Sequence, residues 1–177
     1  MIRIAGAVAV FLTALMAAPL ATAQSTWEEG THYRELSNPV RTASDSGVEV
    51  AEIFWYGCPH CYNFKPLAEA WEAQAPDYVN YVKLPAALGA SWEPHAYAFY
   101  ALEAMGQVDA LHEKVFRAIH VDKQRLTTPE AIATWMAAQG VDREKFTGFF
   151  NSFAVAGKAK RATQLQDAYQ VEGTPSL

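Results

Sequence analysis

Phe54-Trp55-Tyr56-Gly57-Cys58-Pro59-His60-Cys61-Tyr62-Asn63-Phe64 is the stretch on which the fold turns: an apolar strand runs into a glycine, and a Cys-x-x-Cys pair then opens a helix. Cys58 and Cys61 are the only two cysteines in the 177 residues. In the first turn of a helix, a spacing of three sets them one above the other on one face, so they can bridge with little backbone movement. The helix start also sets their chemistry. Unpaired backbone N–H groups and the positive end of the helix dipole favour an anion at Cys58, so its thiolate is stabilised and its pKa is expected to fall. Pro59 leaves no N–H unpaired at a first helical position, and His60, when protonated, adds a second positive group beside the sulfur. A stabilised thiolate favours the dithiol and makes the disulfide an oxidant.

Two other readings of the pair stand beside the redox one. Cys58 and Cys61 form half of a structural zinc site, but tetrahedral zinc takes four ligands and no second cysteine pair supplies them, so two chains would have to share one ion, with His60 as a further ligand. A purely structural bridge is the other, although closing so short a loop removes little entropy from the unfolded chain. Strand, motif and helix signals coincide here, which favours chemistry.

Outward from the motif, Val48 to Tyr56 is nearly all apolar or aromatic and reads as a central strand covered on both faces. Glu52 interrupts it, on the face of Val50 and Phe54, where a buried carboxylate is raised in pKa unless paired. Val79 to Leu84 is a second strand with the same anomaly, since Lys83 falls on the face of Val79 and Tyr81. One acid and one base in neighbouring strands invite a pair, or both snorkel to water. Glu52 is also placed to relay the proton of Cys61 during exchange. Tyr62 to Ala75 is the helix between the strands, with a kink expected before Pro66. Strand, helix and strand at this spacing imply a parallel pair in an α/β fold.

From Pro85 to about Lys160 the apolar period becomes helical. Trp92, Ala96, Phe99 and Leu102 mark one helix, and Leu111, Val115 and Ile119 a second. Thr128 with Pro129 and Glu130 starts a third. Asp142 caps a short fourth through Phe146, and Ser152 caps a last one with Val155, Ala162, Leu165 and Tyr169 on its apolar face. This is an all-helical module inserted into the α/β unit. His32, His95, His112 and His120 show no i, i+4 ligand spacing, so they read as surface or packing residues and no metal site is expected. At the other end, Thr31 to Leu36 is a short edge-strand candidate. Gly173-Thr174-Pro175 is a turn in which a cis proline is plausible.

Residues 1 to 23 read as a secretory signal: Arg3 is the only charge, an apolar run follows, and Ala21-Thr22-Ala23 precedes a cleavage point at Gln24. The run is shorter than a membrane span. Export would put the chain where disulfides persist. The formal net charge of −5 becomes −6 once Arg3 is removed, which leaves no electrostatic case for nucleic-acid binding. With 51% hydrophobic residues the chain can bury the core of one ordinary domain without disulfide staples.

Taken together, the residues resemble the DsbA family of thioredoxin-fold thiol:disulfide oxidoreductases. The resemblance rests on the signal, the aromatic strand into Cys58-Pro59-His60-Cys61-Tyr62, the acid six residues before Cys58, Lys83, Asn151-Ser152-Phe153 and the Tyr169 to Pro175 ending. It implies a thioredoxin-like domain split into residues 24–84 and 161–177 around a helical insertion at 85–160 that caps the active site. It also implies that Thr174 precedes a cis Pro175 facing the cysteines, that the backbone there pairs with an extended substrate, and that the proline keeps metal away. Cys58 becomes the exposed attacking sulfur and Cys61 the buried one. DsbA enzymes are the type case of a depressed thiol and an oxidising disulfide. No bound cofactor is implied beyond the redox disulfide. The implied partners are exported polypeptides with free thiols and a quinone-linked DsbB-type membrane reoxidase, with the chain acting as a monomer in the periplasm. An isomerase or reductase role is the rival within enzymes. Family members continue past the cis proline with a hairpin and a closing helix, whereas this chain stops at Leu177. The resemblance therefore implies a fragment, lacking its final strands and helix and unstable or inactive as written.

Overall fold

The structure, a computed structural model, describes residues 27–42, 44 and 46–177; the expected signal at 1–23 lies outside them. Two compact units are distinguished, one ending at Glu35 and one spanning Leu36–Leu177. In the first, the edge strand expected over Thr31 to Leu36 does not form. Gly30 sits at φ +81 and reverses the chain, so Gly30 N–H donates to the Tyr33 carbonyl at 2.7 Å and only a single Glu29–Tyr33 bridge results. The His32 ring accepts the Glu28 N–H at 3.0 Å, a local bond that competes with extended backbone.

The second unit starts its sheet at Gly47, where φ is +81 and a Cβ would lie 2.2 Å from the Tyr78 carbonyl. Only glycine fits this approach. Strand β1 (Val48–Phe54) then pairs in parallel with β2 (Val79–Pro85), in a register that sets Glu52 opposite Lys83 and Phe54 opposite Pro85. On its other edge β1 meets the return segment: Ile53 and Ser176 exchange two backbone hydrogen bonds, at 2.8 and 3.1 Å. The expectation that β1 is covered along its length holds only at its end. Val48 is 53% exposed, whereas Phe54 is 0% exposed.

Helix α1 (Pro59–Glu72) joins the two strands and carries Pro66 inside it. It begins three residues earlier than the apolar pattern indicated, because the cysteines themselves form its first turn. Its end falls at Ala73, short of Pro76. On α1, Leu67 and Trp71 are exposed.

The insertion contributes α2 (Glu93–Ala104), α3 (Val108–His120), α4 (Pro129–Ala138) and α5 (Arg143–Phe150); α6 (Phe153–Ala168) then leads back to the sheet and runs unbroken through residue 160. The starts of α4, α5 and α6 are capped as the sequence indicates: Thr128, Asp142 and Ser152 accept the N–H groups of Ala131, Lys145 and Val155. Helix α5 continues past Phe146 to Phe150, since the two rings lie one turn apart on its buried face.

Two contacts tie this helical layer to the sheet. The Phe54 ring lies 5.3 Å from Phe99, 5.0 Å from His112 and 5.9 Å from Phe116, so the end of β1 is packed into α2 and α3. From α6, fully buried Gln166 donates to the Pro85 carbonyl at 3.0 Å and accepts the Ala87 N–H at 3.2 Å. The sequence reading placed Leu165 on that apolar face and passed over Gln166. A glutamine belongs there because β2 ends with a carbonyl and an N–H that need partners.

Candidate active site

Cys58 is the N-cap of α1, extended at φ −85 and ψ 116, with Pro59 in the first turn. Its N–H donates to the Trp55 carbonyl at 2.9 Å, and its sulfur accepts the Cys61 N–H at 3.4 Å. Gly57 is required by the tryptophan before it, since a Cβ there would lie 2.4 Å from the Trp55 indole. That indole stacks on Trp92 with centroids 4.0 Å apart. Cys58 is 6% exposed and Cys61 0%. Both thiols are free.

The return segment closes the site. The Thr174–Pro175 peptide is cis, and the Thr174 carbonyl accepts the Cys58 thiol at 3.3 Å. This bond favours the protonated thiol, and burial also pushes Cys58 up. Both are outweighed by the Thr174 side chain, the Cys61 N–H and thiol and the His60 N–H, all of which favour the thiolate, so Cys58 is held below the ordinary thiol value. For Cys61 burial dominates. Despite smaller opposing contributions from the Trp55 backbone and the Thr174 side chain, and with the Cys58 sulfur adding to burial, it is pushed up to about 12. One residue, Thr174, thus reaches both sulfurs from 113 positions beyond Cys61.

His60 is exposed to solvent, and its backbone N–H is among the groups that favour the Cys58 thiolate. The helix start contributes at this position through such N–H groups. Among the described residues no group of three or more His, Cys, Asp and Glu is arranged to hold a metal ion.

The expected Glu52–Lys83 ion pair is replaced by two other bonds. The two residues are opposite in the strand register, but the Glu52 carboxylate accepts the Tyr81 hydroxyl at 2.9 Å while the Lys83 ammonium reaches Glu72 on α1 at 3.2 Å. In a parallel pair both side chains project to the same face, and the longer lysine extends to a partly exposed carboxylate where its hydration is retained. Burial raises the Glu52 pKa against the lowering effects of the Tyr81 bond and of Lys83. A raised carboxyl favours the folded state most when protonated, so the stability it contributes is present below the ordinary carboxylate range and is lost as pH rises through its folded value. Glu52→Gln is expected to remove that decline, so that variant and native protein diverge as pH rises from 4 to 8 in urea titrations, the variant becoming the relatively more stable.

Three features around the motif were not singled out as functional in the sequence. Lys65, buried on α1, pairs at 2.6 Å with both Glu69 and Glu113 beside a cavity of about 620 Å³ that Tyr62 and Asn63 also line. The Tyr56 hydroxyl, two residues before Cys58, is hydrogen-bonded to His112 Nδ1 at 2.9 Å. Burial, with the charges of Lys83 and Lys65, pushes His112 down to about 3, so it is neutral. His120 Nε2 donates to the Tyr56 carbonyl at 2.8 Å. The one signal for the two histidines was their spacing of eight, two turns of one helix face.

With this geometry in hand, a family model described as a DSBA-like thioredoxin domain matches residues 49–177. The chain belongs to the DsbA family. It is 42% identical over 172 residues to the thiol:disulfide interchange protein DsbA of Pseudomonas aeruginosa, covering 95% of this chain and 82% of that one. The Azotobacter vinelandii DsbA is 40% identical over 148 residues, covering 84% and 69%. Among solved structures, Pseudomonas aeruginosa DsbA superposes with a TM-score of 0.75 at 46% identity, covering 79% of this chain and 73% of that one. NmDsbA1 of Neisseria meningitidis gives 0.73 at 26%, covering 84% and 78%. The DsbA fold here is thioredoxin-like with a helical insertion, and the protein is an enzyme of the thiol:disulfide oxidoreductase class.

Proposed function

We propose that this DsbA-family chain is a dithiol oxidase that donates its Cys58–Cys61 disulfide to newly exported polypeptides in the periplasm. The observation that carries the proposal is the asymmetry of the two thiols, one lowered at a helix N-cap and one raised to about 12 behind it. A client thiolate attacks Cys58; the Cys58–Cys61 bond breaks, and Cys61 leaves with the electron pair and takes up a proton. A second client thiolate then attacks the client sulfur of the mixed disulfide, and Cys58 leaves as a stabilised thiolate. Two client thiols are oxidised to one disulfide and the enzyme disulfide is reduced to the dithiol, so no bound cofactor is needed. A quinone-linked membrane partner of the DsbB type reoxidises the pair.

Three groups support these steps. Thr174 and Pro175 form the ledge on which an extended client backbone docks, with the Thr174 carbonyl already at hydrogen-bonding distance from the reacting sulfur. Glu52, buried and raised, is the proton carrier to Cys61, and Lys83 tunes it through its charge. The secretory signal at residues 1–23 delivers the chain to an oxidising compartment.

The test is the pH dependence of Cys58 alkylation in the reduced protein, read against a Cys61→Ser control. The rate is expected to be near its plateau by neutral pH. A rate that keeps rising through about 8.5, as for an ordinary thiol, would contradict the proposal. A strongly reducing equilibrium with glutathione would instead select the reductase or isomerase role.

A further inference from the structure

Helix α3 grips one residue of the active-site approach at both ends. Tyr56 is fully buried; its hydroxyl is hydrogen-bonded to His112 and its carbonyl accepts from His120, the last residue of the helix. A carbonyl only accepts, so Nε2 of His120 must carry a proton for this bond. The same imidazole stacks on Tyr62, with centroids 5.2 Å apart and planes within 14°. Tyr62 directly follows Cys61, and Tyr56 lies two residues before Cys58. One ring therefore touches both flanks of the Cys58-Pro59-His60-Cys61 segment. The groups around it are Tyr56, Tyr62 on α1, Phe116 one turn back on α3, His95 on α2 within electrostatic range, and Lys123, whose ammonium caps the His120 carbonyl at 2.5 Å.

We propose that His120 is a positioning residue for the Cys58 reaction: by holding the Tyr56 carbonyl, it keeps the helix start where the Cys61 N–H group meets the Cys58 sulfur. The inference rests on the oxidase reading of this site and adds to it a control point in the inserted helices. The Cys61 N–H meets the sulfur at 3.4 Å, and a displacement of the Trp55 to Gly57 approach lengthens and weakens that bond.

Two variants separate the bond from the ring. His120→Phe keeps a stacking ring and removes the donor; His120→Gln keeps an N–H near the Nε2 position and removes the ring. His120→Phe is expected to lower the thiolate fraction of Cys58 at fixed acidic pH by about threefold to tenfold, the worth of one hydrogen bond. The alkylation profile then moves to higher pH, and the glutathione equilibrium becomes less oxidising by the same factor. His120→Gln is expected to stay within about twofold of the native protein. A depressed native profile that His120→Phe leaves unmoved overturns the inference alone, as does a Gln variant as impaired as the Phe one. An ordinary-thiol profile in the native protein sinks the oxidase reading and this inference with it. Should His120→Phe fail to fold, the ring ¹⁵N shifts of native His120 decide: an Nε2-protonated ring in both redox states supports the bond, and an Nδ1-protonated neutral ring overturns it.

Discussion

Cys61→Ser is expected to turn a transient intermediate into a stable product, with client polypeptides held on Cys58 by a disulfide that nothing in the enzyme resolves. Cys61 is fully buried and its thiol is pushed up to about 12, so in the native protein it is protonated at neutral pH until an encounter frees it. Once formed, its thiolate is the stronger nucleophile of the two, held beside the Cys58 sulfur by the helix turn. Serine in its place cannot attack a disulfide. When a peptide is supplied as its intermolecular disulfide dimer, the Cys58 thiolate of the variant should attack that disulfide, keeping one peptide on Cys58 and releasing the other as a thiol; the adduct is seen as a mass increase equal to one peptide, and dithiothreitol releases it. Cys58→Ser should give no adduct and reduce oxidase turnover to the uncatalysed background, because the remaining thiol is fully enclosed and pushed up to about 12. Equal adducts from both variants would mean that the two sulfurs are not differentiated as their surroundings indicate.

The second large effect concerns how the site is held. Phe54→Ala is expected to destabilise the protein by about 3–5 kcal/mol, the range for removing a fully buried aromatic ring. The ring meets Tyr56 in the turn that follows the strand and Phe99, His112 and Phe116 on two helices, so the cavity it leaves is walled by side chains that cannot collapse together. Against the ~5–15 kcal/mol by which domains are normally stable, this is a large share. Phe54→Leu, which keeps most of the apolar contact, should cost well under half as much. Urea unfolding of the oxidised proteins measures both. A loss below about 1 kcal/mol for the alanine variant would show that strand and helices are not joined through this residue.

How far the site is legible in the sequence depends on whether a signal is local. The strand, the glycine, the cysteine pair and the helix start follow from neighbours in the chain, and Thr128, Asp142 and Ser152 declare their caps in the same way. The edge strand at Thr31 to Leu36 failed because a β signal needs a partner, and Gly30 turned the backbone onto itself. Glu52 and Lys83 read as an acid and a base in neighbouring strands that invite a pair or snorkel, and the register does set them opposite, yet register decides only which residues are neighbours. Tyr81 and Glu72 were the better partners, and side-chain reach decided that. For His60, chain direction at the N-cap adds a backbone N–H contribution to the Cys58 sulfur that its residue type does not announce. His112, His120 and Gln166 look like packing residues in any local window. Their roles appear only when α3 and α6 are laid against Tyr56 and Pro85, contacts that span 56 to 81 residues.

A stabilised Cys58 thiolate changes the stability of the whole molecule, and a pair of unfolding curves reads that change. If the folded protein stabilises the Cys58 thiolate, it stabilises the dithiol over the disulfide, and the short loop closed by the bridge offsets little of this. For a thiol depressed in the folded state, the stabilisation is fully present above the unfolded thiol value and is lost as pH falls through the folded one. Urea unfolding of the purified protein, fully oxidised and fully reduced, over a pH series from 8 down to 4 is therefore the most direct measurement. The reduced protein is predicted to be the more stable at neutral pH, with the difference shrinking as the solution is acidified; an oxidised protein that is the more stable throughout would contradict the account.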